Sequence, residues 1–136
     1  MKHSALLPIL LVSLLLSLTA CVSEEKDTPQ AGEADYTNPD ELYNLVSLQD
    51  TPYILIDVRT SEEYQSGHIP TSVNIPYDVL AENLPTENTG EDIIVYCRSG
   101  RRSGIAAETL KDLDFSNVYD FGSINNWPGE LESEQQ

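Results

Sequence analysis

Asp92-Ile93-Ile94-Val95-Tyr96-Cys97-Arg98-Ser99-Gly100-Arg101-Arg102-Ser103 is the stretch on which the reading of the fold turns. Its first half is a continuous apolar run rather than an alternating one, which marks a strand covered on both faces, as in parallel sheets. The run ends in a cysteine, and a glycine-containing loop with three arginines follows. Ile105-Ala106-Ala107-Glu108-Thr109-Leu110 then carries a helical pattern, and a helix is expected over residues 102–113. A thiol between a strand end and a helix N-terminus, ringed by fixed positive charge, is placed to ionise.

Working outward, Tyr53-Ile54-Leu55-Ile56-Asp57-Val58 is a second buried strand, followed at once by Arg59. Asn117 to Phe121 makes a third, and Val73-Asn74-Ile75 a short one before Pro76. Helices are expected between them. Asn38 or Thr37 can cap one that starts at Pro39 and buries Leu42, Leu45 and Val46. Thr60 or Ser61 can cap a short one that carries Glu62 and Glu63 in its first turn and stops at Gly67. A further short helix is expected from Tyr77 to Leu84. Strands alternating with helices give an α/β fold, a mostly parallel central sheet with helices on both faces. In such sheets ligands sit beyond the carboxyl ends of the strands, where Asp57, Arg59 and Cys97 all fall.

The 136 residues leave room for one domain and some tail. Residues 1–20 are expected to be a signal peptide: Lys2 and His3 open it, and Ala5 to Leu18 is apolar except for Pro8, Ser13 and Ser17. Leu18-Thr19-Ala20-Cys21 resembles the bacterial lipobox, which implies lipidation of Cys21 and cleavage before it. Multiple acyl chains give a stable anchor. The expected address is the bacterial cell envelope. Because Val22, not aspartate, follows the cysteine, it is the outer membrane facing the periplasm if the organism is Gram-negative. Residues 21–35 are polar and acidic and read as a flexible tether. The domain is expected over residues 36–131, with a polar tail at 132–136.

The chain has 23 acidic residues and 7 Lys or Arg, a formal charge of −16. Such a surface repels nucleic acid. The charge is also segregated: from Tyr96 to Ala107 there are three arginines and no acid. With Cys21 carrying lipid, Cys97 has no partner for a structural disulfide. No metal or cofactor is expected.

Successive N–H groups from the strand end through Gly100 into the helix can converge on one anion, and with the arginines they stabilise a thiolate at Cys97. A nucleophile beside an oxyanion site suits attack on a phosphate ester or on the outer sulfur of a sulfane donor. Cysteine phosphatases cradle phosphate with Cys-x5-Arg. Here Ser103 stands six after Cys97, and Arg102, five after, makes a loop one residue shorter. The smaller cradle favours sulfur. A phosphatase or arsenate-reductase-like enzyme is one alternative, and a non-catalytic sulfur-carrying or redox module the other.

Four motifs, in order, resemble those of single-domain rhodaneses over roughly residues 36–131. They are Leu55-Ile56-Asp57-Val58-Arg59; Gly67-His68-Ile69-Pro70 with Val73-Asn74-Ile75-Pro76; Tyr96 to Ser103; and Phe121-Gly122-Ser123-Ile124-Asn125-Asn126-Trp127. The resemblance implies a rhodanese-like fold and a sulfurtransferase that carries sulfane sulfur as a Cys97 persulfide. The donor would be a small anion such as thiosulfate, and the acceptor a thiol, cyanide or a protein. Backbone N–H groups from Arg98 through Ser99, Gly100 and Arg101 to Arg102 would cradle the persulfide. Arg98, Arg101 or Arg102 would hold the anion. Asp57 and Arg59 would order the loop from beneath, His68 would bond backbone in a turn, and Trp127 would anchor the core. Two departures stand out. Thr71-Ser72 replace a common Gly-Ala, and Ser123 replaces the second glycine of a Gly-Gly pair; if Ser123 needs a positive φ, strain follows there.

Overall fold

The structure, a computed structural model, describes residues 34–133. The segments read as signal peptide and lipidation site, and all of the tether but Ala34 and Asp35, lie outside the described residues. Helix α1 spans Pro39–Leu48, strand β1 Ile54–Asp57 and helix α2 Ser61–Ser66. Strand β2 is Val73–Asn74, β3 Asp92–Cys97, helix α3 Arg101–Asp112 and β4 Asn117–Ser123. All four strands are parallel, in the order β2-β1-β3-β4.

Local chemistry sets the helix starts. Asn38 caps α1 by accepting from the N–H groups of Asp40 and Glu41, with Pro39 in the first turn. Thr60 and Glu63 form a capping box on α2: Thr60 Oγ1 accepts from Glu63 N, and the Glu63 carboxylate accepts from Thr60 N at 3.1 Å. The segment read as a helix from Tyr77 to Leu84 is instead loop with one 3-10 turn, Leu80–Glu82. Only Leu80 of that turn is buried, so no continuous apolar face exists to hold a longer helix.

Strand residues alternate between the two faces of the sheet. Leu55, Ile94, Tyr96 and Phe121 pack with Leu42, Leu45 and Val46 of α1 and with Ile69 and Trp127. Ile56, Val58, Ile93, Val95 and Cys97 pack on the other face with Ala106, Ala107 and Leu110 of α3 and with Leu80 and Phe115. The thiol therefore belongs to the α3 side, and Tyr96 beside it to the α1 side. Glu132, left in the polar tail by sequence, exchanges backbone hydrogen bonds of 2.8 and 2.9 Å with His68. Among the described residues no helix is long and apolar enough to cross a membrane.

Candidate active site at the carboxyl edge of the sheet

Asp57, Cys97 and Ser123 end or nearly end three adjacent strands, so one edge of the sheet collects them. Between β3 and β4 the register shifts: Val95 pairs with Asp120, but Tyr96 pairs with Gly122 and Cys97 with Ser123. The extra residue in β4 is a bulge, which re-aims the strand end. Ser123 Oγ is thereby brought to donate a 2.6 Å hydrogen bond to the Arg98 carbonyl. Ser123 itself is extended, with φ −91°, so the condition for strain there is not met. The positive φ falls on Gly122 (82°), facing Gly100 (94°), and glycine takes that conformation without steric cost. Strain sits instead at Thr71, with φ 69°, where the sequence departs from the usual glycine.

Cys97 is fully buried, and Arg98, Ser99 and Arg101 are the exposed residues of the loop that follows it. Gly100 N donates to its Sγ at 3.1 Å, and the buried Ser103 Oγ lies 3.6 Å away. Helix α3 has no side-chain cap, which leaves its first N–H groups for the sulfur. Burial is the largest single influence on the thiol and raises its pKa. Hydrogen bonds from Ser103 (backbone and hydroxyl), Ser99 and Gly100 together outweigh it, so the thiol ionises below its ordinary value. The Ser103 hydroxyl has one proton to give; here it lies 3.0 Å from the Gly100 carbonyl, and a thiolate at Sγ competes for it.

The three loop arginines are not equivalent. Arg102 forms a two-pronged pair with Glu63, Nη1 to Oε2 at 2.6 Å and Nη2 to Oε1 at 2.8 Å. The guanidinium hydrogen bonds of Arg102 are the main reason the Glu63 carboxyl is held at a pKa of about 2. No ion pair is made by Arg98 or Arg101 among the described residues, where the two pairs formed are Arg59–Asp57 and Arg102–Glu63.

At the end of β1, on the Tyr96 side, Arg59 grips Asp57 through Nε (3.0 Å) and Nη2 (2.6 Å), and Nη2 also donates to the Gly67 carbonyl at 2.6 Å. Its guanidinium lies 5.9 Å from the centre of the Tyr96 ring. The Tyr96 phenol accepts from Ile69 N at 3.0 Å and meets Ser72 Oγ at 3.0 Å, so it fastens the Gly67–Ser72 turn to the strand that ends in Cys97. Burial first, then the charge of Asp57, keeps that phenol protonated far above its ordinary range. His68 stacks on Tyr64 at 3.8 Å with Nδ1 2.9 Å from the Tyr64 carbonyl, a position in the turn rather than beside the thiol. Trp127 is 9% exposed, packs in the α1-side core and donates to the Glu130 carbonyl. Among the described residues no cluster of His, Cys, Asp or Glu could hold a metal ion.

Two functional contacts escaped the sequence. Glu63 was legible as a helix cap, but nothing local pairs it with Arg102, 39 residues on. Ser103 stands six residues after Cys97, in the first turn of a helix that starts at the thiol, and that placement is the signal that points to it.

Residues 38–130 match the Rhodanese-like domain family. The chain is 31% identical over 102 residues to a thiosulfate:glutathione sulfurtransferase of Saccharomyces cerevisiae, covering 65% of this chain and 73% of that protein. It is 34% identical over 73 residues to the thiosulfate sulfurtransferase PspE of Escherichia coli, covering 52% and 70%. A rhodanese-like domain protein from Staphylococcus aureus, of known crystal structure, superposes with a TM-score of 0.62 at 34% identity, over 71% of this chain and 95% of that one. The parallel sheet, the cysteine loop at its carboxyl edge and these likenesses agree: the chain belongs to the Rhodanese-like domain family.

Proposed function

We propose that the protein is a sulfurtransferase that moves sulfane sulfur from a small dianion such as thiosulfate to a thiol, cyanide or protein acceptor through a persulfide on Cys97. The observation that carries this reading is the set of hydrogen bonds to Sγ, which favour an ionised sulfur at the N-terminus of α3. In the first step the Cys97 thiolate attacks the outer sulfur of thiosulfate. A Sγ–S bond forms, the S–S bond of thiosulfate breaks, and sulfite leaves with the electron pair. In the second step an acceptor nucleophile takes the outer sulfur and the thiolate is restored. Arg98 and Arg101, which make no ion pair among the described residues, meet the dianion. The five-residue step from Cys97 to Arg102 weighs against phosphoryl or arsenate chemistry.

Thiocyanate formation from thiosulfate and cyanide tests the reading. Wild type should turn over and Cys97→Ser should not; activity surviving in Cys97→Ser would overturn it.

The place of action proposed is the bacterial envelope, with acyl chains on Cys21. The support is the Leu18-Thr19-Ala20-Cys21 sequence and the apolar run before it. Metabolic labelling with a palmitate analogue should mark the wild type and not Cys21→Ser; equal labelling of both would remove the lipid from the account.

A further inference from the structure

The Glu63–Arg102 pair joins two parts of the chain that otherwise share little. Glu63 is the third residue of α2, just after the Asp57–Arg59 turn, and Arg102 is the second residue of α3, in the Cys97 loop. One carboxylate oxygen, Oε2, accepts from both Thr60 N (3.1 Å) and Arg102 Nη1 (2.6 Å), and Oε1 takes Nη2 (2.8 Å). The fork of the guanidinium is thereby filled by a carboxylate, the same shape of acceptor that a bound oxyanion would offer. Arg102 nevertheless stays close enough to Cys97 to feel the charge of its thiolate. The site thus holds a third guanidinium within electrostatic reach of the sulfur but engaged elsewhere, while Arg98 and Arg101 are exposed and make no ion pair among the described residues.

We propose that Glu63 is a positioning residue that sets the anion affinity of the site: by holding Arg102 it limits the guanidiniums facing a bound dianion to Arg98 and Arg101. This rests on the sulfurtransferase reading for its consequence. The donor and the leaving sulfite are both dianions, so a third free guanidinium would tighten both and slow the departure of product. The restraint holds across the neutral range, where the Glu63 carboxyl, held at about 2 chiefly by the Arg102 hydrogen bonds, stays ionised. The other charged or titratable groups that act on Glu63 and Arg102 are Arg59, Asp57 and Cys97.

Glu63→Gln releases the charge while keeping an acceptor for Thr60 N, since glutamine serves in a capping box as glutamate does. The probe is sulfate, a dianion with no sulfur to donate, titrated into the full chain and followed by the amide NMR shifts of residues 98–103. Sulfate should bind at least about threefold tighter to Glu63→Gln than to wild type, and the gain should disappear in the double variant E63Q/R102Q. In turnover, KM for thiosulfate should fall in Glu63→Gln with no rise in kcat. Unchanged or weaker sulfate binding in Glu63→Gln, or tightening that survives the loss of Arg102, overturns the proposal. Glu63→Asp, which withdraws the carboxylate by one methylene, gives the same direction should Glu63→Gln not fold. Sulfate binding is read without sulfur transfer, so failure of the sulfurtransferase reading, seen as absent turnover in wild type, is distinguishable from failure of this one.

Discussion

Two arginine–carboxylate pairs flank the Cys97 loop, and they differ in burial more than in geometry. Asp57–Arg59 has side-chain exposures of 0% and 7%, and Glu63–Arg102 of 28% and 21%. The buried pair is also linked to the Gly67 carbonyl and lies against Tyr96, so removing one partner leaves an uncompensated charge in the core. The Glu63–Arg102 pair is part-buried and still reaches water, where such contacts contribute less to folding. The difference teaches where each residue's worth lies. One pair ties the end of β1 to the Gly67 turn, and the other is the one proposed to tune what binds at the loop.

The largest expected effect is at the buried pair. Asp57→Ala should cost about 3–5 kcal/mol of stability by urea unfolding, and Glu63→Gln less. Equal losses would erase the distinction. Next comes the sulfur itself. Ser103→Ala removes hydrogen bonding that favours the thiolate, so the acid limb of persulfide formation should move to higher pH. An unmoved limb would assign the lowered thiol pKa to the backbone N–H groups alone.

The Glu63–Arg102 pair has a pH signature. Because the Glu63 carboxyl is held at about 2 rather than its ordinary 4.5, its contribution is fully present above 4.5 and is lost as pH falls through about 2. Thermal unfolding of wild type and Glu63→Gln should therefore differ at neutral pH and converge near pH ~2. Parallel curves would mean the pair carries no linked stability. The smallest effect lies on the Tyr96 side. Thr71→Gly relieves the positive φ but gives up the 2.8 Å contact with the Tyr53 hydroxyl, so urea unfolding should show a change under about 1 kcal/mol; a larger loss would mean that the hydroxyl contact outweighs the strain.

Much of this was legible in the chain because local chemistry dictated it. The uninterrupted run from Ile93 to Tyr96 gave a buried parallel strand, Asn38 and Thr60 gave helix starts, and the strand–Cys97–helix order placed the thiol at the carboxyl edge. Tyr77 to Leu84 failed as a helix because one buried leucine cannot hold a helical face. Whether Ser123 needs a positive φ was not readable: the bulge in β4, a feature that pairing partners decide, sets the backbone there, and the positive φ falls on Gly122. Thr71 carries the positive φ at the position where glycine is usual, so the departure itself was the readable signal. The partnership of Glu63 with Arg102 was invisible for a related reason: it exists only once α2 and α3 are brought together by the crossovers of the sheet.

The central claim, that Cys97 carries the transferred sulfur, is tested most directly by mass spectrometry of the protein after exposure to thiosulfate. A single addition of about 32 Da on the peptide containing Cys97, removed by cyanide or a thiol and absent from Cys97→Ser, is expected. An unmodified wild-type protein, or an adduct that persists in Cys97→Ser, would contradict it.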